Sequence, residues 1–159
     1  TAELIMKTDD IIQSIKNDTF ADKEIIPSEI KDYEIMNISD MSVLIGIAKY
    51  RDKFEVLRHT ETWSNNGVRQ LVLGSMDKFI NFLKYIDNGA CRCIKYQYIK
   101  PDPEKEESLG LVNLLVKVQH ERPFEASYEC KCTICRTIFI CHSGEERFGI
   151  GYSWRRKTS

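Results

Sequence analysis

The chain has 159 residues and a net charge of −1, with 42% hydrophobic and 30% charged residues. This length and composition predict a single folded domain over residues 1–159, large enough to bury a core without disulfides. No apolar run approaches the ~20 residues that cross a bilayer, and no secretory signal is visible. We therefore expect an intracellular protein of the cytoplasm or nucleus, with no role in a membrane.

Charge is distributed unevenly along the chain. Residues 1–40 contain four lysines and ten carboxylates, a local charge of −6, whereas residues 131–159 have a local charge of +4. The asymmetry indicates either that the two ends face each other or that the basic end meets an acidic partner. An acidic solvated helix with a basic tail is an equally good interpretation.

The N-terminal part, about residues 1–40, is predicted to be helical and acidic. Its apolar residues recur at helical spacing and predict a helix over residues 3–18, and Pro27 marks a break or a helix start. Residues 42–50 and 54–63 have the length and composition of strands, with a hairpin turn over residues 51–53.

A second turn is predicted at Asn65-Asn66-Gly67, followed by a strand over residues 68–73. Ser75 is then expected to cap the clearest helix of the chain, which Asn88-Gly89 would end. Its apolar stripe should face the core and comprises Met76, Phe79, Ile80, Phe82, Leu83 and Ile86.

The C-terminal half is predicted to be mostly strands. These cover residues 91–98, 109–118, 127–132, 136–141 and 148–154, with an exposed charged loop over 101–107 and a turn at Ser143-Gly144. Alternation predicts one inward face for Val112, Leu114, Val116 and Val118. Together the elements predict an α+β fold, a mostly antiparallel sheet with two or three helices and a zinc-stabilised C-terminal hairpin.

All six cysteines lie in the second half of the chain. In Cys132-x-x-Cys135 two sulfurs can converge from one tight turn, as in structural zinc sites. Cys91 and Cys93 are an i,i+2 pair that shares one face of a strand and can supply the remaining two ligands. We therefore predict a Zn²⁺ site at Cys91, Cys93, Cys132 and Cys135, which would tie together residues 89–159.

Other cysteine arrangements remain open. Cys130 shares the i,i+2 relation with Cys132 and is the obvious substitute ligand, whereas a strand over residues 136–140 would carry Cys141 and His142 about 20 Å away. The six cysteines could also form three disulfides or remain buried free thiols.

Catalysis is disfavoured by the same residues. A catalytic zinc keeps one position for water, whereas a cysteine-rich ligand set closes the site. Neither His120-Glu121 nor His142-Ser143-Gly144-Glu145 matches the zinc protease or zinc deaminase motifs. A zinc-dependent hydrolase or deaminase is therefore only a remote alternative, and we expect no enzyme.

The C-terminal segment interleaves cations with aromatic rings, a mixture that suits stacking on the bases of RNA or single-stranded nucleic acid. The candidate contact residues are Arg147, Tyr152, Trp154, Arg155, Arg156 and Lys157. The alternative is a core strand, in which Phe148, Ile150, Tyr152 and Trp154 face inward and a basic tail follows.

Taken together, the sequence predicts a zinc-stabilised binding or regulatory module that acts on a protein partner. RNA binding is the alternative, and the near-neutral net charge counts against it.

Overall fold

The computed structural model describes residues 8–23, 32–57 and 68–158. Contacts divide the chain into two compact units, Thr1–Arg92 and Cys93–Ser159. The described part of the first unit is helical, and the second contains an antiparallel sheet, so the α+β class is confirmed. The expectation that residues 1–159 form a single domain stays a prediction.

Five α-helices make up most of the described part of the first unit. They are α1 (Thr8–Lys16), α2 (Asp32–Met36), α3 (Met41–Ala48), α4 (Arg51–Leu57) and α5 (Val68–Asp87), with one 3-10 turn at Phe20–Asp22. The expected helix over residues 3–18 is thus found from Thr8 onward. Pro27, the turn at residues 65–67 and residues 58–63 lie outside the described residues.

Helix α5 is longer than the sequence pattern indicated. It begins at Val68, so the strand expected over residues 68–73 and the cap at Ser75 are both wrong. The predicted stripe is confirmed, since all six of its apolar side chains are buried. Gly89 ends the helix with a φ of +93°, and Ala90 N–H donates to the Tyr85 carbonyl at 2.9 Å, which is the Schellman arrangement.

Two predicted strands of the first unit are mostly helical where the structure describes them, over residues 42–50 and 54–57. Residues 42–50 lie mostly in α3, which Asp40 caps by accepting from the Ser42 N–H at 2.9 Å. Residues 51–53 open α4 and are not a hairpin turn. Phe54 is fully buried, with its ring 5.1 Å from that of Phe79, so packing on α5 decides the conformation of this segment.

The second unit begins with a 3-10 helix, Arg92–Gln97, where a strand was expected. Residues 101–107 are not an exposed loop, because α6 (Pro103–Ser108) starts there and Asp102 caps it. A four-stranded antiparallel sheet follows, in the order β1 (Val112–Gln119), β2 (Ala126–Cys132), β3 (Ile138–Glu146) and β4 (Gly149–Arg156).

The sheet has a buried inner face and a more exposed outer face. Ala126, Tyr128, Cys130 and Cys132 of β2 are buried and define the inner face. The residues between them, Ser127, Glu129 and Lys131, are partly exposed and define the outer face.

A bulge in β1 overturns the predicted inward face of that strand. Register shifts between Leu114 and Val116, so Val112 and Leu114 pair with inner-face residues while Val116 and Val118 pair with Glu129 and Ser127. Val116 and Val118 are consequently 47% and 48% exposed. One extra residue in a strand reverses the orientation of everything after it.

The last hairpin also differs from expectation. Ser143-Gly144 lies inside β3, and the turn falls at Arg147-Phe148, because Glu146 pairs with Gly149. Phe148 is 93% exposed and therefore not a core residue.

Within the described ranges, no helix has the length and apolar content that a membrane crossing needs.

Candidate metal centre

The structure brings Cys91, Cys93, Cys132 and Cys135 together. Their four sulfur atoms lie within 4.8 Å of one another, and the Sγ atoms of Cys93 and Cys135 are 3.4 Å apart. Tetrahedral coordination with metal–sulfur bonds of about 2.3 Å separates sulfurs by about 3.8 Å, so this group, the cysteine cluster, has the dimensions of a four-thiolate metal site.

Local structure explains how the first two cysteines are presented. The Gly89 turn ends α5 two residues before Cys91, and Cys93 lies in the 3-10 helix that follows. The expected strand is absent here, so the strand-face argument for this pair is wrong, although the structure places both sulfurs in the cluster.

The second pair lies at the turn between β2 and β3, as the Cys-x-x-Cys spacing predicted. Cys132 N–H donates to the Thr137 carbonyl at 2.9 Å, and Arg136 N–H donates to the Cys132 carbonyl at 3.1 Å. Arg136 has a φ of +64°, in the left-handed region that closes such a turn. These bonds hold the backbone of Cys132 in place and close the turn that contains Cys135.

Two threonines support this turn, and the sequence analysis missed them. Thr133 Oγ1 donates to the Gly110 carbonyl at 2.9 Å, which fastens the turn to the start of β1. The Cys135 thiol donates to Thr137 Oγ1 at 3.1 Å. In a metal-bound thiolate the direction reverses, and the Thr137 hydroxyl donates to the sulfur. A hydroxyl two residues after the second cysteine was the available signal.

The cluster is flanked by cations along the chain. Arg92 stands between Cys91 and Cys93, Lys131 precedes Cys132, and Arg136 follows Cys135. Four thiolates around a divalent ion would carry a net charge of −2. The Arg92 guanidinium donates to the Ser39 carbonyl at 2.7 Å. Sulfur ligands in tetrahedral geometry suit zinc or iron. The arrangement is therefore compatible with a metal ion.

The remaining two cysteines lie outside the cluster. Cys130 and Cys141 are fully buried on neighbouring strands, and none of the six cysteines forms a disulfide. Burial raises the pKa of both thiols to about 12. They are neutral at physiological pH, so neither is an activated nucleophile. His142 is likewise absent from the cluster.

The predicted nucleic-acid residues are divided between the two sides of the sheet. Tyr152, Trp154 and Arg156 pair with the inner-face residues of β3, whereas Arg155 pairs with Ile140 of the outer face. Lys157 forms an ion pair with Glu129 at 2.6 Å, and Arg147 lies in the β3–β4 turn, 5.5 Å from the Phe148 ring.

The Trp154 side chain packs against other residues of the second unit. Its ring stacks on Tyr96 with centroids 4.1 Å apart and planes 3° from parallel, and its Nε1 donates to the Pro101 carbonyl at 2.8 Å. One face of the indole and its only donor are therefore already used. The proposed role of these residues in RNA binding stays a prediction.

Comparisons with protein-family models, with curated proteins and with solved structures gave no match to this chain.

Proposed function

We propose that the cysteine cluster holds a structural Zn²⁺ and that the second unit is a non-catalytic module that binds another protein. Cys91, Cys93, Cys132 and Cys135 would supply all four ligands of a tetrahedral site. A closed site of this kind supplies folding free energy and leaves no position for a substrate or an activated water. The six cysteines form no disulfide, and such cysteines persist in a reducing compartment, which supports a place in the cytoplasm or nucleus.

The observation that carries the binding role is the exposed apolar run on β1. Leu115, Val116 and Val118 are 48%, 47% and 48% exposed. They lie on an edge strand, because β1 pairs with β2 alone in the described sheet. An extended, apolar edge strand is a template for another strand, and proteins normally cover or charge it.

Part of this edge is already protected. The Glu107 carboxylate of α6 accepts the Leu114 N–H at 2.6 Å, and the Lys117 ammonium donates to Glu104 at 2.7 Å. Helix α6 therefore covers the beginning of β1, and the exposed part of the edge is the stretch from Leu115 to Gln119. We propose that this stretch receives an extended segment of a protein partner, with apolar residues at alternate positions.

Crosslinking of the tagged chain in cells, followed by mass spectrometry, tests the proposal. Val116→Glu and Val118→Glu should each remove the same crosslinked partners, because a buried carboxylate opposes strand addition. Leu109→Glu is the matched control, since Leu109 is 59% exposed but lies outside the strand. The proposal is contradicted if Val116→Glu and Val118→Glu both retain every partner that is crosslinked to the parent chain.

RNA binding is distinguished by its response to salt. Phosphate contacts make affinity fall steeply between about 50 and 200 mM salt. Single-stranded RNA affinity with that dependence, unchanged in Val118→Glu but lowered in Arg155→Ala, would support the RNA alternative. If the parent chain binds no RNA at low salt, the RNA alternative is excluded and the protein-interaction role stands.

A further inference from the structure

Three polar side chains form a hydrogen-bonded row on the outer face of the sheet, apart from the cysteine cluster. Nε2 of His120 lies 2.7 Å from Oγ of Ser127, and the same Oγ lies 2.9 Å from Nδ1 of His142. Ser127 and His142 are directly paired between β2 and β3, and His120 is the first residue after β1. Three consecutive segments of the sheet therefore direct these groups to one point.

The row fixes how the two imidazoles are oriented. A hydroxyl has one hydrogen, so Ser127 donates to one ring nitrogen and accepts an N–H from the other. Both rings are exposed to solvent. The two nitrogens are separated by no more than the two hydrogen-bond lengths combined. A shared metal ion bound at about 2.0–2.1 Å from each requires them within about 4.2 Å, which a change in the side-chain torsions of exposed rings can provide.

Two of the cations near the row are paired with carboxylates. Glu129 lies two residues after Ser127 on the same face and is paired with Lys157 at 2.6 Å. Arg122, which follows His120 by two residues, is 81% exposed and pairs with Glu125 at 3.7 Å. Val118 faces Ser127 on the β1 side, and Ser153 faces His142 on the β4 side. Lys157 and Arg122 thus each have a carboxylate partner, and Arg155 lies on the outer face of β4, two residues from Ser153.

We propose that His120 and His142 form a second metal site, which takes a late first-row divalent transition ion such as Ni²⁺, Cu²⁺ or Zn²⁺. Imidazole nitrogen suits these ions, whereas the cysteine cluster offers only sulfur. The two rings supply two ligands and water completes the coordination. Ser127 Oγ is hydrogen-bonded to the two nitrogens that would bind the ion, so it would exchange those bonds for one to the bound water. This site is open, unlike the cysteine cluster.

Nickel titration tests the site. Ni²⁺ is the probe, because it favours nitrogen and does not oxidise thiols as Cu²⁺ does. The full chain is first loaded with one equivalent of Zn²⁺, then titrated with Ni²⁺ by calorimetry in a non-coordinating buffer at pH 7.5. We expect one additional ion per chain.

Variants locate the ion. His120→Ala and His142→Ala should each weaken Ni²⁺ binding by at least about tenfold, because each removes a ligand and even the loss of an outer-shell partner costs 10–100-fold. His59→Ala is the matched control. It removes the chain's third histidine, which lies outside the described residues, and should leave the affinity unchanged.

Paramagnetic Ni²⁺ supplies a second measurement. It should broaden the imidazole NMR signals of His120 and His142 before any others. If His142→Ala loses its thermal unfolding transition, His142→Gln replaces it in the titration, because glutamine keeps a polar side chain without an imidazole ligand. Equal affinity in the parent, His120→Ala and His142→Ala, or no binding at millimolar Ni²⁺, would show that the row is a hydrogen-bond network only.

Discussion

Lys95 Nζ lies 2.8 Å from Glu106 Oε1, and the two side chains are only 1% and 2% exposed. The pair joins the 3-10 helix Arg92–Gln97, which contains Cys93, to α6, which covers the start of β1. A buried ion pair is strongly destabilised when one partner is removed, because the other charge is left without compensation. The pair therefore fixes the segment that carries Cys93 of the cysteine cluster.

The first prediction concerns this pair. Glu106→Gln should lower the free energy of unfolding by about 3–5 kcal/mol, since it leaves the Lys95 ammonium buried and unpaired. Replacing both residues, in Lys95→Met with Glu106→Leu, should recover much of that loss. Urea denaturation of the three proteins measures the effect. The surface pair Lys117–Glu104 is the control, because Glu104→Gln should cost at most about 1 kcal/mol.

The second prediction concerns Gly46, where α3 passes close to α1. A Cβ at Gly46 would lie 2.5 Å from Ile15 Cγ2. Ala normally stabilises a helix by about 1 kcal/mol over Gly, but the clash with a stiff β-branched side chain should outweigh this gain. We expect Gly46→Ala to lower stability by about 1–3 kcal/mol. In an Ile15→Ala background the same change should be neutral or stabilising, and thermal denaturation that shows equal losses in both backgrounds would contradict the explanation.

The sequence located elements whose signals are local. Cys132-x-x-Cys135 brings two sulfurs together through one turn, and Asn88-Gly89 stops a helix with its own backbone, so both predictions needed no knowledge of remote packing. The stripe from Met76 to Ile86 was equally clear, because a long periodic pattern has few alternative interpretations.

The predictions that were wrong concern elements whose conformation depends on contacts between residues distant in sequence. Residues 42–50 form an apolar run that fits a buried helix or a strand, and burial of Leu44 and Ile47 in the helical first unit decides between them. Asp40 before Ser42 was the overlooked helix-start signal. The bulge at Leu115 exists only through pairing with β2, and Glu106 is buried only because Lys95 lies opposite it. None of these partners is adjacent in the sequence.

The third prediction concerns the metal. Cys132→Ser and Cys135→Ser should each lower the bound zinc of protein purified without chelator and unfold the second unit, since structural zinc contributes on the order of 10 kcal/mol to folding. Cys141→Ala is the control, because Cys141 lies outside the cluster. This variant should keep one metal ion per chain. Elemental analysis and thermal unfolding measure both effects. Full zinc content with an unchanged melting temperature in Cys135→Ser would rule out the assignment.

The fourth prediction concerns alkaline stability. Burial raises the pKa of Cys141 from 9.0 to about 12, so the folded thiol keeps its proton at a pH where the unfolded chain loses it. The unfolded state then binds fewer protons, and the stability present below about pH 9 declines as the pH rises toward 12. Between pH 8 and pH 10 the parent should lose about 1 kcal/mol more than Cys141→Ala. Urea unfolding with parallel pH dependence in the two proteins would contradict this account.

The fifth prediction separates the two roles of Trp154. Its ring contacts Tyr96 and Phe139, with centroid distances of 4.1 and 6.0 Å, and its Nε1 donates to the Pro101 carbonyl. Trp154→Ala should therefore cost about 3–5 kcal/mol of stability, measured by urea denaturation. Arg155→Ala is the control on the neighbouring outer-face position and should cost at most about 0.5 kcal/mol.

RNA affinity is measured on the same two proteins at low salt. A stacking ring contributes about 1–3 kcal/mol to binding of a single strand, whereas loss of an arginine mainly reduces the salt dependence. We expect the stability loss in Trp154→Ala and no RNA binding by the parent, because the indole already stacks on Tyr96. Unchanged stability combined with a loss of RNA affinity in Trp154→Ala would instead assign the ring to nucleic-acid recognition.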